Sequence, residues 1–129
     1  MAEEHVPEYL KTHVLRGEHL VFRLGERIAE LRGELTAGRE RRGVTLLKQE
    51  GLNVVLTAIR AGGRVAEHNV AGPALVQAVE GRVRLRAGDQ AWELGPGDLA
   101  ALGPGVAHDL EALEDAAVLV AIAAPASGA

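Results

Sequence analysis

The sequence predicts an all-β fold with one short α-helix, because beyond Gly43 the apolar residues recur with a period of two, turn residues punctuate the chain roughly every 8 to 12 positions, and no helical interval intervenes. Upstream of that region lies a single helical stripe. Leu24, Ile28, Leu31 and Leu35 fall on one face of a 3.6-residue period, with Glu26, Arg27, Glu30 and Arg32 on the others, so an amphipathic helix is expected near 24–33. Glu26 and Glu30 are one helical turn apart and Arg27 follows Glu26 directly, so this helix should depend on packing more than on its own ion pairs.

The strands follow in short, glycine-separated pieces. Residues 44–49 are apolar and β-branched, and Glu50-Gly51 turns the chain into 52–60. Ala61-Gly62-Gly63 interrupts it before 64–70. Residues 74–79 lead to Glu80-Gly81, after which Arg82, Val83, Arg84, Leu85 and Arg86 alternate, with arginines to water and Val83 and Leu85 to a core. Gly88-Asp89 turns that strand into 90–94, Gly95-Pro96-Gly97-Asp98 leads to 99–102, and Gly103-Pro104-Gly105 leads to 108–113 and then 116–123. Such a series reads as a sandwich or barrel. Its expected organisation is an N-terminal segment at 1–42 packed on a barrel at 43–123, with a loose tail at 124–129.

Composition narrows the function classes. The 129 residues are 47% apolar and 25% charged, with 14 Lys+Arg against 18 Asp+Glu, which describes one ordinary domain able to build a core without staples. Cysteine is absent, which removes disulfides, thiolate metal sites and Cys nucleophiles. The mild acidity and the scarcity of aromatics, only Tyr9, Phe22 and Trp92, argue against a nucleic-acid surface. No stretch is apolar enough to span a membrane, and the acidic start running into Pro7 lacks the marks of a secretory signal, so a cytoplasmic protein is expected. Scarce Asn with abundant Glu and Arg suits a thermophile or a GC-rich genome. The cluster of Arg39, Arg41 and Arg42 around Glu40 reads as a solvated loop.

Two stretches, Gly63 to Gly81 and Gly97 to His108, resemble the two short motifs of the cupin family. His68 stands at the first histidine of the first motif and Gly81 at its hairpin glycine; Gly97-Asp98, Pro104-Gly105-Val106 and His108 stand where the second motif has its turns and its histidine. The run from Gly72 to Val83 is most similar to small single-domain bacterial cupins of the RmlC-like superfamily. That resemblance implies a double-stranded β-helix, that is a small jelly-roll barrel, over residues 43–123, and a homodimer that adds strands across an interface, with 52–59 and 116–123 as the segments to supply it.

The family's metal motif is degenerate here. A full set has three His and one Glu; the second histidine position is Val70, the glutamate position falls near Ala74, and the asparagine position after the last histidine is Ala112. The first expectation is therefore a small-molecule-binding or weakly metal-binding barrel, with His68 and His108 in a lumen lined by Val70, Ala74, Val76, Leu110 and Ala112. Its competitor is a cupin enzyme of oxygenase or isomerase type, with a divalent ion (Zn, Fe, Mn or Ni) on His68 and His108 and a third ligand from a partner chain or from the N-terminal segment, where His5, His13 and His19 lie. A third reading is a structural barrel without a ligand. The β region offers no Tyr as an acid, and a His-only acid/base site at His68 or His108 would lack an evident partner to orient it. Gln77 is expected to bond within the fold if buried, Trp92 to anchor the core or an interface, and Glu111, Glu114 and Asp115 to form a solvated hairpin end.

Overall fold

The computed structural model describes residues 7–17, 19–68 and 71–123, with residues 8, 67 and 68 described by their backbone alone. His5, Val70 and the 124–129 tail lie outside the described residues. Among the described residues, a single 3-10 turn at Glu8–Leu10 is followed by one helix, α1 (Leu24–Arg32), and nine strands: β1 (Arg41–Gln49), β2 (Leu52–Ile59), β3 (Arg64–His68), β4 (Ala74–Glu80), β5 (Val83–Ala87), β6 (Gln90–Leu94), β7 (Leu99–Leu102), β8 (His108–Ala112) and β9 (Ala116–Ala123).

The strands form two antiparallel sheets, in the order β1-β2-β9-β4-β7 and β3-β8-β5-β6. This is an all-β jelly roll with one short helix. Alternation places one face of each sheet in a shared core, where Ile59, Val76, Val83, Leu85, Leu110 and Val118 are sealed from solvent. Val83 and Leu85 point inward as their alternation with arginines requires.

A second core lies on the outer side of the five-stranded sheet. Ile28 and Leu31, both fully buried, bring α1 down onto Val44, Leu46, Leu56, Ala58 and Ala117. Strands β2 and β9 are predominantly apolar because they are central and covered on both faces for much of their length. Each has a hydrogen-bonded neighbour on both sides, so neither has an edge to offer, and the strand-adding interface expected of 52–59 and 116–123 is corrected on that ground. The helix also carries an ion pair of its own, Arg27 to Glu30 at 3.2 Å, while Arg32 donates to Glu80 at 3.1 Å and ties the helix end to β4.

Turn chemistry sets the frame. Gly81 has φ of 69°, and a Cβ there would strike the carbonyl oxygen of Asp115 and lie 2.9 Å from the Cα of Ala116. The 81–82 turn is thereby pressed against the β8–β9 turn. Asp115, expected at a solvated hairpin end, accepts from the Ala61 amide at 2.9 Å and links that turn to the one after β2. Asp98 accepts from the Gly95 amide at 2.9 Å and closes the turn before β7.

Candidate functional site

Strand β8 shows strict alternation: His108, Leu110 and Ala112 are buried, and Asp109 and Glu111 face outward. His108 is 3% exposed, the one buried polar or charged residue among those described. Its Nδ1 lies 3.1 Å from the carbonyl oxygen of Val106. A carbonyl can only accept, so in this contact Nδ1 carries a proton. A buried imidazole held this way is oriented as a metal-binding or proton-accepting histidine is oriented.

His68 ends β3 and is the direct register partner of His108 across the β3–β8 ladder. The ladder carries an irregularity between Val65 and His68: three steps along β3 match two along β8. The expected lumen residues divide clearly. Val76, Leu110 and Ala112 belong to the inter-sheet core and Ala74 is buried at the start of β4. Ala87 of β5 pairs with His108 on its other side, so the histidine sits in the middle of three strands.

The two described histidines of the N-terminal segment are His13 and His19. His13 pairs with β1 as a short parallel bridge to Leu47, its amide donating to the Leu46 carbonyl at 2.9 Å and its ring packing edge-on against Phe22 at 5.3 Å. There it lines a hollow of about 270 Å³ with Tyr9, Leu20, Phe22 and Arg27. His19 is exposed. Among the described residues, no group of three His, Cys, Asp or Glu side chains is placed to hold a metal ion.

Other expectations are corrected by exposure. Trp92 is 44% exposed on the edge strand β6 and is no core anchor; it borders a groove of about 440 Å³ between the edges of β6 and β7. Gln77 faces solvent, so its amide needs no buried partner. Nothing in the local pattern marked Glu34 as the organiser of the N-terminal segment. Its carboxylate accepts from the Tyr9 hydroxyl at 2.8 Å and meets Arg42 at 3.3 Å and Arg39 at 3.5 Å, so two of the three clustered arginines are paired rather than merely solvated. The hydrogen bond to Glu34, with burial and the nearby negative charge, raises the Tyr9 phenol above its ordinary 10.0.

Comparison with known proteins adds the following. The family model for the AraC-like ligand-binding domain matches residues 53–120. No curated protein matches. A conserved protein of unknown function from Streptococcus pyogenes superposes with a TM-score of 0.71 at 19% identity, covering 85% of this chain and 92% of its own. A cupin superfamily protein from Desulfitobacterium hafniense gives 0.64 at 18% identity, covering 66% and 78%. A protein from Thermus thermophilus gives 0.59 at 26% identity, covering 67% and 86%. All of them support the fold.

Proposed function

Because the chain belongs to the AraC-like ligand-binding domain family and is a small cupin-superfamily protein, we propose that its barrel binds a small molecule, without catalysis, at the inner face around His68 and His108. Support comes chiefly from His108, a buried imidazole whose Nδ1 donates to the Val106 carbonyl. Its register partner is a second histidine. The imidazoles would fix the ligand's orientation, the part that a few placed polar groups play in a small-molecule site. In this reading the His108 ring meets a polar group of the ligand.

The competing reading is a divalent-metal enzyme using the same two histidines. It requires donors beyond those brought together among the described residues. Elemental analysis of protein purified without a histidine tag, repeated on His68→Ala and His108→Ala, separates the two. Our reading expects no metal above background, and a small-molecule screen that raises the melting temperature of the parent but of neither variant. Stoichiometric metal lost in both variants would establish the enzyme reading instead. We further propose a cytoplasmic homodimer that pairs through the exposed Leu75 and Leu99 on β4 and the edge strand β7, to be read by sedimentation of the parent and of Leu99→Glu.

A further inference from the structure

The edges of β1 and β3 belong to different sheets, and the opening between them has a volume of about 380 Å³. Arg41 contributes from β1, Arg64, Val65 and Ala66 from β3, and Asp109 from β8. A neighbouring hollow shares Arg41 and Val65 and continues to Arg39 and Arg42. This region lies apart from the ligand site proposed above, since Asp109 and His108 are successive residues on opposite faces of β8.

Its charges are unequal in their commitments. Arg39 and Arg42 are both occupied by Glu34. Arg41 and Arg64 make no ion pair among the described residues, and neither reaches Asp109. Asp109 itself has an oxygen, Oδ1, shut off from solvent with no hydrogen-bond partner among the described residues. A carboxylate oxygen in that position favours a donor supplied from outside the chain, whereas two uncommitted guanidiniums at the same opening favour an anion. One molecule meets both demands when it carries a carboxylate and, beside it, a hydroxyl or ammonium donor.

We propose that this opening is a binding site for a small carboxylate bearing an adjacent hydrogen-bond donor, with Arg41 and Arg64 holding the carboxylate and Asp109 Oδ1 accepting from the donor. A plain polyanion fits less well, because it meets the Asp109 charge with nothing to offer it.

Succinate, malate and aspartate make the test, since they share one dicarboxylate skeleton and carry hydrogen, hydroxyl and ammonium at the same carbon. Titration of the full chain with each at constant ionic strength, followed by calorimetry and by amide chemical shifts of β1, β3 and β8, should show malate or aspartate binding about tenfold tighter than succinate, the ordinary worth of one hydrogen bond to a charged acceptor. Which of the two is tighter identifies the donor as hydroxyl or ammonium. Asp109→Ala should abolish the preference, Asp109→Leu, which also lacks an acceptor, provides the same comparison if the alanine variant folds poorly, and Arg41→Gln with Arg64→Gln should abolish binding of all three. Equal affinity for the three acids, a preference that survives both Asp109 variants, or no shift in those strands would overturn the proposal.

Discussion

Gly81 and Gly88 have similar backbone conformations, φ of 69° and 60°, in entirely different surroundings. An alanine at Gly88 would find no atom within 4 Å of its Cβ, so Gly88→Ala should cost only the left-handed backbone penalty, about 1 to 2 kcal/mol. At Gly81 the same penalty applies, but the Cβ is driven into the Asp115 carbonyl and stands 2.9 Å from the Ala116 Cα. These are backbone atoms and cannot rotate away. The β8–β9 turn must move, which strains the Leu113 amide bond to the Arg82 carbonyl and the Asp115 bond to Ala61, both 2.9 Å. Displacement of packed structure of this kind adds about 1 to 3 kcal/mol, so Gly81→Ala should lose about 2 to 5 kcal/mol in all. Urea unfolding of the parent and both variants, analysed with a common m-value, gives the difference directly. Equal losses for the two variants would refute the steric contribution and leave only the dihedral one.

Two further predictions concern the N-terminal segment. The Tyr9 phenol is raised in the folded state by Glu34, so the folded chain holds that proton more tightly than the unfolded one. The resulting stabilisation is fully present below the unfolded value of 10.0 and is lost as pH rises through the higher folded value; Tyr9→Phe should flatten that alkaline decline in melting temperature, and an unchanged decline would contradict it. Ile28→Ala, which empties a fully buried site between α1 and the sheet, should cost about 2 to 5 kcal/mol by urea unfolding, whereas a loss near zero would mean that the helix does not seal that core.

Most of the fold was legible because it is written in local chemistry. The helix and the nine strands fall where the periodicity and the turn residues place them, with ends moved by a residue or two; β1 begins earlier, at Arg41, since pairing with Ile59 extends it through the arginines. Sheet order was not written locally. Residues 52–59 and 116–123 are predominantly apolar, and an interface between chains and a strand covered on both faces leave the same pattern; only the packing of Ile28 and Leu31 decides for the second. At the site, His68 and His108 were visible through their motif positions, but their register was not. Counting alternately from Val65, the partner of Leu110, a regular ladder would set Glu67 opposite His108. The irregularity between Val65 and His68 shifts the count by one and sets His68 there. Arg64 and Asp109 carried no local signal at all, because the chain separates them widely and only strand pairing and the open edge bring them near Arg41.

The second core beneath α1 also governs how the protein can be cut. A fragment trimmed to the segment matched by the family model, 53–120, would begin inside β2, end inside β9 and discard α1 and β1 entirely. It would leave Leu56, Ala58 and Ala117 open to water on one face and the backbone of β2 unpaired along one edge. A bare apolar sheet with a free edge is a template for aggregation. For expression, grafting or fusion, the smallest workable unit therefore has to start ahead of Leu24 and run through Ala123, so the helix travels with the barrel as part of its wall.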